Sequence, residues 1–152
     1  MEIQTAERTY QISTIVLDLN GTLAVHGKIA SSTLKLLDEL KKLGLRLVLI
    51  SGDIRGNAIE RAQELGLEAY IAKNSTEKAI VMQQFDKNST VAIGNARIDI
   101  GTFENASLSI ATLQDEGIHP AILPYVDILV PSIDAALALF LNPKSLEATL
   151  RQ

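Results

Sequence analysis

The chain has 152 residues, of which 47% are hydrophobic and 4% aromatic, and its formal net charge is −4. This length fits one domain with an aliphatic core, and the lack of a lysine or arginine run argues against a nucleic-acid surface. With no cysteine and only two histidines, the sequence excludes disulfides, thiolate metal sites and a histidine-based zinc centre. It has no signal-peptide pattern and no apolar run of about 18 residues. These features predict a soluble cytoplasmic protein that binds neither nucleic acid nor membrane.

The first elements of the chain lead to a single carboxylate. Residues 1–13 alternate loosely between apolar and polar positions, which predicts a short antiparallel hairpin covering a sheet edge. The apolar run 15–17 has the length of a buried strand, and it ends on Asp18. Asn20, Gly21 and Thr22 follow as a turn, in which glycine permits positive φ and the close approach of a ligand. As an isolated feature this stretch could also be a solvated turn.

Aliphatic strands and helices alternate along the rest of the chain. Strands are predicted over residues 45–50, 67–72, 90–93, 108–113 and 126–130. Between and after them, helices are predicted over 31–43 with a Ser31 or Ser32 cap, over 55–65, and from a Ser75 or Thr76 cap with Ile80, Val81 and Phe85 in the core. A short helix beyond Asp99 to Ala106, a helix over 133–141 and a helix after Pro143 are also predicted. This alternation predicts an α/β fold, a three-layer doubly wound parallel sheet in a single domain, 1–152.

Polar residues follow several of these strands, and the carboxyl ends of parallel strands meet at one sheet edge. The edge would carry Asp18 with its turn, Ser51 and Gly52, a lysine at a helix start (Lys78 or Lys73), and Asn95 with Asp99. A carboxylate that attacks phosphorus needs hydroxyls, backbone N–H groups, a cation and a metal ion to offset the negative charge. Oxygen donors without nitrogen or sulfur ligands suit Mg²⁺. The pattern therefore predicts phosphoryl-transfer chemistry.

The ordered motifs resemble those of the haloacid dehalogenase superfamily, and more narrowly the small soluble relatives of the P-type ATPase phosphorylation domain. The matching stretches are 18–22, 51–53, the lysine opening a later helix, and Gly94, Asn95 and Asp99. The resemblance implies a phosphohydrolase in which Asp18 is the nucleophile and Thr22 supports the phosphate loop. It implies that Ser51 bonds a transferring oxygen and Lys78 neutralises charge, with Gly21, Gly52 and Asn95 against the substrate. Mg²⁺ would be held by Asp18, the Asn20 carbonyl, and Asn95 or Asp99.

Two departures from the family pattern lower the expected activity. Phosphatases of the superfamily carry a general acid where this chain has Asn20, and an amide cannot transfer a proton at neutral pH. General acid–base help is typically worth ~10²–10⁴-fold, so turnover should be slow or confined to good leaving groups. The P-type ATPase branch also lacks this acid and forms a long-lived phosphoenzyme. Asn95 stands where an aspartate ligand is usual, which should weaken Mg²⁺ binding.

Three functions therefore remain open from the sequence: a slow phosphatase, a phosphoacceptor switch read by a partner, and a degenerate binding module. The loops after Asp18 and Ser51 are too short for a cap domain. We therefore expect an open crevice that takes a phosphorylated substrate of unknown identity, or a lid supplied by a second copy in a homo-oligomer.

Overall fold

The structure, a computed structural model, describes residues 1–151 and consists of a parallel sheet between two layers of helices. An antiparallel hairpin comes first, formed by β1 (Glu2–Gln4) and β2 (Thr9–Gln11). Six parallel strands then form the main sheet in the order β5-β4-β3-β6-β7-β8. Their bounds are β3 (Thr14–Leu17), β4 (Arg46–Ser51), β5 (Glu68–Ile71), β6 (Thr90–Gly94), β7 (Leu108–Thr112) and β8 (Ile128–Val130). The predicted α/β class, parallel sheet and hairpin are confirmed.

The helices cover both faces of the sheet. They are α1 (Ser31–Lys42), α2 (Ala58–Leu65), α3 (Ser75–Met82), α4 (Ile100–Phe103), α5 (Ile133–Leu141) and α6 (Pro143–Leu150). In β3, Ile15 and Leu17 join the core that includes Leu37 of α1, whereas Val16 joins the core that includes Met82 of α3. The central strands are therefore buried on both faces, as a continuous apolar run requires.

The order of the strands places a crevice beside β3. From β3 the chain builds β4 and β5 on one side, and it then crosses to build β6 on the other side. Loops that leave β3 and β6 in opposite directions open a crevice at the carboxyl ends of these strands. Asp18 directly follows β3 and Asn95 directly follows β6. Both residues therefore lie at the topological switch point, the place where the strand order reverses between β3 and β6.

Several local predictions were wrong. Helix α1 has no side-chain cap, because the hydroxyls of Ser32 and Thr33 donate to Asp134 of α5 instead. Helix α3 is capped by Asn74 rather than by Ser75 or Thr76, since the Asn74 side chain accepts a hydrogen bond from Glu77 N.

Two other helix predictions also need correction. Helix α2 begins at Ala58 rather than at residue 55, because residues 53–56 form a turn closed by a bond from Gly56 N to Asp53 O. Ile80 is exposed and not in the core, because α3 buries the face that carries Lys78 and Met82. Within residues 1–151, no helix is long and apolar enough to cross a membrane.

Candidate active site

A buried lysine connects two carboxylates at the carboxyl end of β3. Lys78 Nζ lies 2.9 Å from Asp18 Oδ1 and 2.6 Å from Asp99 Oδ1, and it also donates to the Ile50 carbonyl at 2.9 Å. Lys78 comes from the first turn of α3, which packs over the sheet and aims this side chain at the switch point. Lys73 is exposed, so Lys78 is the lysine that the structure brings to Asp18.

Asp99 is held entirely by protein groups. One carboxylate oxygen accepts from Lys78, and the other accepts from the backbone N–H groups of Asn95 and Ala96, each at 2.9 Å. The side chain is 1% exposed. Asp99 thus fixes both the lysine and the loop after β6, and neither of its oxygens is left without a protein partner.

Burial and charge raise the pKa of Asp18. Loss of solvation is the main cause, repulsion from Asp99 adds to it, and Lys78 offsets only part, so that the pKa rises from 3.8 to about 6. Burial by itself lowers the pKa of Lys78, but attraction to the two carboxylates outweighs burial and raises it, which keeps the ammonium charged. Two carboxylates therefore face one ammonium, which leaves the site with an excess of negative charge.

Asn95 is fixed as an amide by two neighbours. The Thr22 hydroxyl donates to Asn95 Oδ1 at 3.0 Å, and Asn95 Nδ2 donates to the Gly117 carbonyl at 2.9 Å. A carboxylate at position 95 would set an oxygen against that carbonyl, which cannot donate. Gly21 has a φ of +77°, and a side chain there would collide with Asn95. The turn 20–22 and the loop after β6 are therefore built as one unit.

The turn after β4 lines the other side of the crevice. Ser51 is fully buried, and its hydroxyl oxygen accepts from Asp53 N at 3.0 Å. Asp53 has a φ of +56°, and its carboxylate accepts from Ala58 N at the start of α2. The N–H groups of Asn20 and Gly52 donate no hydrogen bond within residues 1–151. These two groups are free to bind an anion beside Asp18.

The crevice itself is small and its mouth is apolar. It has a volume of about 140 Å³, and its lining consists of Asp18, Asn20, Gly52, Asp53, Ile54, Ala96 and Ile98. Ile54 is 86% exposed at the mouth, although it is a large apolar side chain. The Asp18 side chain, at 6% exposure, is the accessible carboxylate of the buried triad with Lys78 and Asp99.

The sequence did not predict two side-chain contacts at the site, those of Gln114 and Arg55. Gln114 Nε2 donates to the carbonyls of Gly21 and Thr22 at 3.1 and 2.8 Å, while its Oε1 accepts from Ile133 N. Arg55 Nε donates to Asn20 Oδ1 at 3.1 Å. A glutamine and an arginine in loops have no pattern that marks them as site residues, since their partners are distant in sequence.

The residues at the switch point fit a weakly held divalent cation. Among residues 1–151, no three His, Cys, Asp or Glu side chains form a group that could hold a metal. The possible donors are the Asp18 carboxylate, the Asn20 carbonyl, which accepts no hydrogen bond within the same residues, and Asn95 Oδ1. An oxygen-only set with one charged ligand suits Mg²⁺, which binds few protein ligands and keeps its waters, and the excess negative charge favours a cation.

Comparisons with known proteins identify the fold. No protein-family model matches the sequence, and no curated protein matches it significantly. Many solved structures do match. One is the cobalt-bound deoxy-D-mannose-octulosonate 8-phosphate phosphatase of Haemophilus influenzae, with a TM-score of 0.73, 15% identity, and coverage of 91% of this chain and 92% of that chain.

Two further structures agree with the first. The 3-deoxy-D-manno-octulosonate 8-phosphate phosphatase of Moraxella catarrhalis, solved with magnesium, phosphate and the sugar acid, has a TM-score of 0.72 and 17% identity, with 90% of each chain covered. A Legionella pneumophila hydrolase assigned to subfamily III A of the HAD superfamily has a TM-score of 0.71 and 16% identity, with 91% of this chain and 87% of that chain covered. The chain thus has the haloacid dehalogenase-like fold, and the predicted resemblance is confirmed at that level.

Proposed function

We propose that this chain is a Mg²⁺-dependent phosphohydrolase that works through an aspartyl-phosphate on Asp18. The observation that carries the proposal is the buried Asp18–Lys78–Asp99 triad at the switch point of a haloacid dehalogenase-like fold. Burying an ammonium between two carboxylates is costly, so such a group marks a functional site more often than a stabilising one. The neighbouring folds belong to metal-bound phosphatases, which supports the same chemistry here.

In the first step, a carboxylate oxygen of Asp18 attacks phosphorus. The new O–P bond forms as the bond to the leaving group breaks, and the electron pair of that bond goes to the leaving oxygen. Lys78 offsets the charge on Asp18, and the free N–H groups of Asn20 and Gly52 bind the phosphoryl oxygens. In the second step, the oxygen of a water molecule attacks phosphorus as the bond to Asp18 breaks, and the electron pair of that bond returns to the Asp18 carboxylate. The released phosphate keeps one proton of the water, and the other proton goes to solvent.

Several residues act by holding the others in place. We infer that Asp99 positions Lys78, that Thr22 and Asn95 hold the phosphate loop through their mutual hydrogen bond, and that Ser51 shapes the Gly52 turn. Mg²⁺ would be held by Asp18, the Asn20 carbonyl and Asn95, and when bound it offsets the negative charge of the phosphoryl group. Because Asn20 cannot donate a proton, we expect good leaving groups to be preferred.

The proposal is tested by hydrolysis of p-nitrophenyl phosphate with and without Mg²⁺. The comparison variant is Asp18→Asn, and the control is Asp38→Asn, which removes an exposed carboxylate from α1. We expect Mg²⁺-dependent release in the wild type and the control, and none in Asp18→Asn. Equal release from Asp18→Asn would contradict the mechanism.

A phosphoacceptor switch is the second candidate, and Asn20 is the residue that favours it, because without an acid or base the phosphoenzyme should persist. Trapping of the phosphoenzyme and measurement of its lifetime separate the two functions. A lifetime much longer than the turnover time of any phosphate ester would support the switch.

A lid from a second copy stays a prediction, which sedimentation of the protein with and without phosphate would test.

A further inference from the structure

We propose that Arg55 determines the substrate class by binding the leaving group of the reaction as an anion. This inference rests on the proposed function and concerns the side of the crevice where Asn20 replaces a general acid. The class it points to is phosphates whose leaving oxygen is a stable anion next to an apolar body, such as acyl and aryl phosphates.

The position of Arg55 is fixed by the turn that carries it. The left-handed residue Asp53 and the bond from Gly56 N to Asp53 O put Arg55 at the tip of the turn after β4. From there its guanidinium crosses to the loop after β3, where it lies about 3.5 Å from the point that a side chain on Gly27 would occupy. Arg61 donates to the Gly27 carbonyl at 2.8 Å and holds that loop in place.

The contact between Arg55 and Asn20 settles the orientation of the amide. A guanidinium only donates hydrogen bonds, so the Asn20 atom that faces Arg55 Nε must be the oxygen. Asn20 Nδ2 therefore points away from Arg55, and it donates to no acceptor within residues 1–151. The terminal nitrogens of Arg55 also have no acceptor within the described chain. Several N–H donors and one positive charge are thus available around Asn20, which lines the crevice.

Such a set of donors binds an oxyanion but does not supply a proton. The guanidinium keeps its protons at any physiological pH, and so does the amide. When the P–O bond breaks, the leaving oxygen takes the electron pair and departs as an anion, so the charge of the substrate and Asp18 together is unchanged. N–H donors that meet this developing charge lower the barrier most where the leaving anion is least stable by itself.

Apart from Asp53, whose carboxylate accepts from Ala58 N, the remaining wall of the crevice is apolar. Ile54, the residue before Arg55 in the chain, lies at the mouth, and Ile98 lies on the facing loop, close to Gly52. A polyhydroxylated leaving group would lose hydrogen bonds to water against these side chains without replacing them. An aromatic or acyl body would instead bury apolar surface there. The charge of Arg55 and the apolar surface of Ile54 and Ile98 together favour acyl and aryl phosphates as the substrate class.

The test uses phenyl phosphates that differ only in the ring substituent, from nitro to chloro to unsubstituted. We compare kcat/KM for the wild type, Arg55→Met, Arg55→Lys and the control Arg8→Met, which removes an exposed arginine from the hairpin region. Arg55→Met should lose ~10- to 100-fold with phenyl phosphate, as for a charge-assisted hydrogen bond, and clearly less with p-nitrophenyl phosphate. Arg55→Lys should recover part of the loss, and Arg8→Met should match the wild type.

The dependence on the leaving group distinguishes this role from a structural one. A loss in Arg55→Met that is equal for all ring substituents, or no loss, would overturn the proposal. If the wild type shows no Asp18-dependent release from any of these esters, the proposed function itself fails. A separate variant tests the apolar wall: Ile54→Ser should raise KM for benzoyl phosphate by a larger factor than KM for acetyl phosphate, and an equal effect on both would overturn that part.

Discussion

Replacing Lys78 by methionine tests the central feature of the site. The substitution keeps an unbranched side chain but removes the ammonium, so Asp18 and Asp99 face each other without a counter-charge and the Ile50 carbonyl loses its donor. The two carboxylates are only 6% and 1% exposed. Removing one partner from a buried ion pair typically costs ~3–5 kcal/mol, and we expect a loss of this size in the free energy of unfolding near neutral pH.

The loss should depend on pH in a defined direction. In the wild type the pKa of Asp18 is already raised to about 6 by burial and by Asp99, with Lys78 holding it down. Without Lys78 the pKa of Asp18 should rise further, so the carboxyl becomes neutral on mild acidification and the repulsion disappears. The cost of Lys78→Met should therefore be large at about pH 8 and small at about pH 5.

Urea unfolding at the two pH values measures this cost, and p-nitrophenyl phosphate hydrolysis measures the loss of activity. Lys73→Met is the matched control, because Lys73 is an exposed lysine in the segment that leads into α3. Its effect on stability should stay within about 0.5 kcal/mol. An active Lys78→Met protein whose stability is within about 1 kcal/mol of the wild type would refute the assigned role of the triad. So would an equal loss in Lys73→Met.

Three further substitutions at or beside the site have defined outcomes. A carboxyl with a raised pKa contributes stability at low pH that is lost as the pH rises through the folded pKa; for Asp18 the window runs from 3.8 to about 6. Asp18→Asn should therefore be inactive yet more stable than the wild type by about 1–3 kcal/mol near pH 8. The gain should vanish near pH 4, and a variant less stable at every pH in urea titrations would contradict this. Asn20→Asp places a carboxylate against the Arg55 guanidinium, which lowers the pKa of the new carboxyl. Any gain in glycerol phosphate turnover should then be confined to acid pH, and a gain that persists at about pH 8 in a pH–rate profile would refute this pairing. Gln114→Glu sets a carboxylate against the carbonyls of Gly21 and Thr22. It should therefore reduce kcat/KM at least as much as Gln114→Leu, roughly 10-fold or more, and a milder effect than that of Gln114→Leu would argue against this role of the Gln114 amide.

The local sequence pattern alone predicted the fold class of this protein and the order of its strands and helices along the chain. The apolar run 15–17 predicted a buried strand, and the alternation of strands and helices predicted a parallel sheet with helices on both faces. Because the carboxyl ends of parallel strands share an edge, Asp18, Ser51 and Asn95 had to approach each other. Gly21 was predicted from its turn, and its φ of +77° agrees. The predicted serine caps were wrong, because hydroxyls such as that of Ser32 donate to a distant carboxylate instead of bonding the backbone of their own helix.

The tertiary structure decided which polar groups meet. In sequence, Lys73 competes with Lys78 for the same role, and only the packing of α3 over the sheet buries Lys78 against Asp18 and Asp99. Sequence reasoning likewise could not pair Asn20 with Arg55, because 35 residues separate them and neither belongs to a periodic pattern. Local spacing determines backbone conformation and which face of an element is apolar. The partner of a buried charge or amide is determined by the whole fold, because its desolvation can be offset by whichever complementary group the packing brings near.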